Sequence, residues 1–288
     1  MTLRQQVILL AQLSILCTVF GFGLKTTGDD LLYLIRRPRL LARSLLAIYV
    51  VMPIVAVVLV RFFEFRQAVE IAIVALAISP VPPLLPQRQT RAGGEAGYAI
   101  GLMAILALLA IVVSPLAVKV LESVFDRSLA IAPGAVARLA LITVVLPLAA
   151  GTTVRATAPK LAASIDNRVA LTAKVLLPLA VLGLIVIAGP AMLALVGNGT
   201  LIAMTVFLAA GLATGHVLGG PEPENAVVLA LSTACRHPAI AFTIASANFP
   251  EERAGAAILL YVVLSLIVGV PYLAWRRRSL RSPATADV

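Results

Sequence analysis

From Val175 to Pro221 the chain carries no formal charge, and only His216 interrupts its apolar character. About 20 apolar residues in helix cross a hydrocarbon core of about 30 Å, so this stretch is long enough for two crossings. Gly197-Asn198-Gly199 is the natural turn between them. Further charge-free runs lie at Val7–Leu24, Ser44–Val60, Ile71–Gln87, Ala96–Val118 and Leu139–Val154. After the double stretch come Asn225–Ala247, with one charge inside, and Ala254–Trp275. Nine spans result, and the expected fold class is an all-α polytopic membrane protein.

Composition agrees. Only 12% of the 288 residues are charged and 61% are hydrophobic, with a mean hydropathy of +1.04. A soluble domain is about half apolar and a quarter charged. The net charge of +10 needs no nucleic acid, because cytoplasmic loops of membrane proteins collect Lys and Arg. Cys17 and Cys235 both fall in apolar runs, so neither a disulfide framework nor a thiolate metal site is expected. The first apolar run has no convincing cleavage site and reads as a span, not a removable signal.

The asymmetry of Lys and Arg sets an expected orientation. Lys25–Arg43, Arg88 with Arg91, Arg155–Lys174 and the tail Arg276, Arg277, Arg278 and Arg281 hold most of the cations. The opposite side holds fewer: Arg4, Arg61, Arg66, Lys119, Arg127, Arg138 and Arg253. With nine spans this puts the N-terminus out and the C-terminus in, in a bacterial cytoplasmic membrane. No linker or soluble domain is visible. Residues 1–275 read as one transmembrane domain, with repeat one at about 5–122 and repeat two at about 136–275, followed by a basic cytoplasmic tail at 276–288. That tail reads as a solvated stop signal, and Tyr272 and Trp275 as an interfacial anchor.

Two spans are not bland. The third contains Ser79-Pro80-Val81-Pro82-Pro83-Leu84-Leu85-Pro86. Proline lacks the amide donor and clashes with the preceding turn, so no α-helix continues through it. Open backbone at membrane depth survives only where it is buried in protein or lines a wet cavity. The eighth contains Ser232-Thr233-Ala234-Cys235-Arg236-His237-Pro238, with Arg236 at the midpoint of its run. A charge there costs about 2.5–3.5 kcal/mol on the lenient insertion scale. If the first four spans form a repeat lacking its opening helix, the third and eighth spans are equivalent and inverted. Leu76-Ala77-Ile78-Ser79 before one break echoes Leu229-Ala230-Leu231-Ser232 before the other. Paired broken helices in two halves are the sequence pointer to a transporter's midplane site.

With these features the chain resembles the bile acid:sodium symporter family over nearly its whole length. The resemblance rests on Arg36-Arg37-Pro38-Arg39 before the second span, the proline-broken third span and the polar break in the eighth. It implies a panel domain, a core domain in which the two broken helices cross, and organic-anion substrates taken up with sodium. The usual third-span break in that family reads Cys-Pro-Gly-Gly-Thr-Ala-Ser-Asn. Here the matching positions run from Ser79 to Pro86, with Leu85 and Pro86 at the Ser-Asn pair. The usual eighth-span Glu-Val-Gly-Met-Gln-Asn, whose Glu and Gln hold sodium, is matched by Ser232, Thr233, Ala234, Cys235, Arg236 and His237. A site without its carboxylate and with a guanidinium inside binds Na⁺ poorly.

The expected substrate-binding residues are therefore Arg236, His237, Ser232, Thr233 and Ser79, with Pro80, Pro82, Pro83, Pro86 and Pro238 shaping the crossover. Arg236 either clamps an anion through two parallel hydrogen bonds or caps the carbonyls of its own half-helix. His237 either carries a proton or satisfies a backbone carbonyl. Ser79, Ser232 and Thr233 either face the cavity or bond back to their own turns. Gly211, Gly215 and Gly219 read as a close-packing ridge. No metal site and no cofactor are expected, Na⁺ being the one ion to consider. The expected partners are a small or amphipathic organic anion and the lipid bilayer, with no nucleic acid and no obligatory protein. Enzyme chemistry has no support: no metal-ligand spacing, no nucleophile-base set and no P-loop is present. A passive anion channel and a transport-dead membrane sensor remain as alternatives to a carrier.

Overall fold

A computed structural model describes residues 2–125, 133–250, 252 and 254–281. Arg127 and Arg253, used above for orientation, and the tail beyond 281 lie outside the described residues. The chain is helical throughout, with no strand among the described residues. In order the helices are α1 (Leu3–Lys25), α2 (Gly28–Leu32), α3 (Pro38–Leu46), α4 (Met52–Phe62), α5 (Gln67–Ala77), α6 (Leu85–Arg91) and α7 (Ala96–Phe125). They continue with α8 (Pro133–Ala140), α9 (Leu146–Thr157), α10 (Pro159–Leu193), α11 (Thr200–Leu218), α12 (Pro223–Ala234), α13 (Pro238–Asn248) and α14 (Ala254–Arg281).

Among the described residues eight stretches are long and apolar enough to cross a membrane. The third span is instead divided into α5 and the short α6, as its four prolines require. The eighth is divided into α12 and α13 around Cys235–His237. α5 packs beside α13 and α6 beside α12, so the two broken spans pass each other in opposite directions with their breaks adjacent. The eighth span is the centre of the molecule: 78% of its apolar window is buried, against 11% for α10. The first, fifth and sixth spans (α1, α8 with α9, and α10) pack on one another. Val19, Val144 and Leu148 of that group meet Ile100, Met103 and Ala107 of α7, which joins it to the other six spans.

Two boundaries differ from the sequence reading. The basic segment Arg155–Lys174 is not a loop, because α9 runs to Thr157 and α10 starts at Pro159. At about 1.5 Å per residue, the 35 residues of α10 reach well beyond the hydrocarbon core. Lys25 pairs with Asp166 on this extension at 3.2 Å. Arg276 is not a solvated stop signal either. It is buried and donates to the Pro223 carbonyl at 3.0 Å.

Small residues set the closest approaches, as helix packing in lipid requires. A Cβ at Gly211 would meet Ala234 Cα at 2.8 Å, and one at Gly215 or Gly219 would overlap the backbone of Ala230 or Ala226. This ridge seats α11 directly on α12. The turn before α11 has Gly197, Asn198 and Gly199 all at positive φ. His216 packs between Tyr272 and Trp275 at the far end of α11.

A further feature went unseen in the sequence. Ile48-Tyr49-Val50-Val51-Met52-Pro53 and Ile142-Thr143-Val144-Val145-Leu146-Pro147 share a pattern, and each overlaps a π-helical segment, Ala47–Val51 and Leu141–Val145. In each, the residue before proline donates five residues back, Met52 to the Ala47 carbonyl and Leu146 to Leu141. Proline, having no N–H, cannot serve the next carbonyl.

Candidate functional site

Each proline in a helix leaves the carbonyl four residues earlier without its donor, and a buried orphan carbonyl must find another. At the third-span break Pro82 deprives Ile78, whose oxygen instead accepts from the Ser114 hydroxyl at 3.3 Å. Pro83 deprives Ser79, whose oxygen accepts from Arg236 Nη1 at 3.3 Å. The Pro80 carbonyl accepts from the His237 amide at 2.8 Å, and this bond ties the two breaks together. On the second span the π segment and Pro53 free the Ile48 carbonyl. Arg236 Nη2 donates to it at 3.1 Å.

Arg236 therefore reaches out of its own helix to two other spans. It does not cap the carbonyls of α12. It is 2% exposed, and its recorded hydrogen bonds go to backbone oxygens, none to a carboxylate. Its Nε has no partner. Beside it His237, 3% exposed, accepts at Nδ1 from the Ile240 amide at 3.5 Å as the N-cap of α13. A neutral imidazole accepting at Nδ1 carries its proton on Nε2, and Nε2 is also without a partner. Two adjacent buried residues thus each hold an unused N–H donor. Buried donors are paired as a rule, and an anion would bring the lone pairs that these two lack.

The hydroxyls divide. Ser79 Oγ donates to the Ala75 carbonyl at 2.7 Å and Thr233 Oγ1 to Leu229 at 2.6 Å, both back into their own turns. Ser232 Oγ accepts from Gln89 Nε2 at 2.7 Å. Pro80, Pro82, Pro83 and Pro86 line and bend the break, and Pro238 starts α13.

Several residues at the crossover escaped the sequence reading. Gln89 is fully buried and also donates to the Val228 carbonyl at 2.9 Å. Arg88, counted above as a loop cation, turns inward onto α14. Both lie on α6, a seven-residue helix too short to register as periodicity. Tyr49, Ser114 and Tyr261 looked like ordinary members of apolar runs; Tyr49 donates to the Leu106 carbonyl, whereas Ser114 and Tyr261 serve carbonyls at the two breaks.

An open groove of about 410 Å³ lies between the second and fourth spans, on an outer face where Ile54, Val58, Leu116 and Val120 are exposed. Tyr49 and Ile78 form part of its lining, with Pro53, Ile54, Leu116 and Val120. Its wall is almost wholly apolar, and Tyr49 and Ile78 are the chain neighbours of Ile48 and Ser79, whose carbonyls hold Arg236. Among the described residues no group of His, Cys, Asp and Glu is arranged to hold a metal ion.

A family model described as the sodium bile acid symporter family matches residues 12–205. The match includes the third-span break and the Ile48 turn, and ends before the eighth span. No curated protein matches the chain.

Proposed function

The chain belongs to the sodium bile acid symporter family, and from that premise we propose that it is a secondary transporter of a small or amphipathic organic anion whose uptake does not require Na⁺. A hard cation needs several oxygen ligands. At this crossover the freed oxygens of Ser79 and Ile48 are already taken by Arg236. The guanidinium is permanently charged, so it stands where a bound cation would otherwise supply the charge. The two hydrogen bonds from Arg236 to these oxygens are the observation that carries the reading.

In this proposal the acid group of the substrate meets the unused donors of Arg236 and His237, with Ser79, Ser232 and Thr233 shaping the surroundings. An apolar body would lie along the open groove beside Tyr49. Access alternates as the six-span group, carrying the crossed breaks, moves against the three-span group. The protein is multi-pass in a bacterial cytoplasmic membrane, N-terminus out and C-terminus in, with no enzymatic step and no obligatory protein partner.

The test is uptake into proteoliposomes of a panel of carboxylates and sulfonates, with and without Na⁺ and a pH gradient, for the native protein and Arg236→Ala. Saturable uptake in Na⁺-free buffer, lost in Arg236→Ala, is the expected result. A strict Na⁺ requirement overturns the assignment of Arg236, and non-saturating flux replaces the carrier with a channel.

A further inference from the structure

A second arginine lies inside the membrane span. Arg88 leaves α6 toward α14, where both terminal nitrogens donate to the Ser265 carbonyl at 3.2 Å and Nη2 also to Leu266 at 3.3 Å. Ser265 is the central residue of the apolar stretch Ala254–Arg276, so this cation contacts the middle of that helix and does not sit among the loop charges. Gly269 provides the room, because a Cβ there would overlap Arg88 Nη2. Nη1 comes within 4.0 Å of Cys235 Sγ. None of these partners is a carboxylate. The guanidinium is only partly buried, and five N–H groups face two carbonyls and a sulfur.

Cys235 is extended, with φ −95° and ψ 126°. Successive side chains of an extended segment point to opposite sides. Cys235 accordingly faces Arg88 and the ninth span, while Arg236 reaches the second. Two arginines thus approach the eighth-span break from opposite faces. Gln89, bonded to Val228 and Ser232, pins α6 to α12 and so holds Arg88 beside Cys235.

We propose that Arg88 is a second anion-binding centre, separate from Arg236, which takes the carboxylate or sulfonate group of the transported compound on the ninth-span face of the crossover. This rests on the reading of the substrate as an organic anion. The unused edge of the guanidinium matches the paired oxygens of such a group, and among the described residues no carboxylate pairs with the charge. The centre would receive the acid group between the Arg236 site and the end of α6, where the chain leaves the membrane.

Cys235 is the reporter. In a Cys17→Ser background, reconstituted protein is treated from each side with a sulfonate-bearing methanethiosulfonate and with its trimethylammonium counterpart. Cys235 is expected to react at least tenfold faster with the sulfonate reagent, and octanesulfonate should protect it. Arg88→Gln removes the preference, Arg88→Lys keeps it, and Arg236→Gln leaves it in place. Gly269→Ala, which displaces the guanidinium while retaining its charge, weakens it and serves if Arg88→Gln does not fold. Equal rates with the two reagents, a preference that survives Arg88→Gln and Gly269→Ala, or no modification from either side overturns the proposal. The readout needs no transport, so it fails or succeeds separately from the uptake screen.

Discussion

The Tyr261 hydroxyl donates to the Ala234 carbonyl, an oxygen of the last turn of α12 left without a helical donor where the chain turns extended at Cys235. A side chain on the ninth span thereby closes a gap opened by the break in the eighth. Removing the hydroxyl leaves a buried acceptor unsatisfied, which costs about 1–3 kcal/mol. Tyr261→Phe should lower the unfolding free energy in micelles by that amount. Equal stability of Tyr261→Phe and the native protein would contradict the pairing.

Pro53 should matter for a reason opposite to ordinary helix propensity. Pro53→Ala supplies an amide that competes with Arg236 for the Ile48 turn. Losing one hydrogen bond to a buried charge costs about 1.5–3 kcal/mol, so the variant should be less stable although its helix is more regular. In the twin segment Ile142 faces outward, and Arg236 does not reach it. Pro147→Ala should therefore be neutral or stabilising. Thermal unfolding of the two variants side by side decides the matter, and equal shifts would remove Arg236 from the explanation.

The glycine ridge predicts a second contrast. A Cβ at Gly215 would overlap the Leu229 oxygen and Ala230 Cα, whereas one at Gly189 meets nothing within 4 Å. Overpacking against backbone costs about 1–3 kcal/mol, while alanine in an open helical position gains about 0.5–1 kcal/mol over glycine. Gly215→Ala should lower the melting temperature and Gly189→Ala should raise it slightly.

Arg236 spans two carbonyls on different helices, which a lysine ammonium cannot do in the same planar fork. Arg236→Lys should keep the charge and lose one of the two bonds, reducing uptake about tenfold, with Arg236→Ala reducing it about a hundredfold. Initial uptake rates at saturating substrate measure this. Full activity in Arg236→Lys would mean that charge alone matters there.

Much of the fold was legible because its causes are local. An apolar run of membrane length and a cluster of prolines act through their own few residues, so the crossings and both breaks could be placed without a partner in view. Arg236 was legible for the same reason, as a lone charge in an apolar run. The role of each freed oxygen was not. The π turn at Ala47–Val51 depends on a proline spacing that also suits an ordinary kink, and nothing near Ile48 in sequence says that its carbonyl awaits a residue 188 positions away.

Arg88 marks the division most clearly. By sequence it is a cation at the end of an apolar run, and a positive-inside count sends it to the loop. Its position was decided by the seven-residue α6, by the absence of a side chain at Gly269 and by the Ser265 carbonyl. The sequence by itself determined that the chain crosses the membrane repeatedly and must break twice, because hydrophobic burial and the missing proline amide are properties of single segments. Only the tertiary structure decided which donors answer those breaks and which charges stay inside, because a long side chain can satisfy any carbonyl that packing brings within its reach.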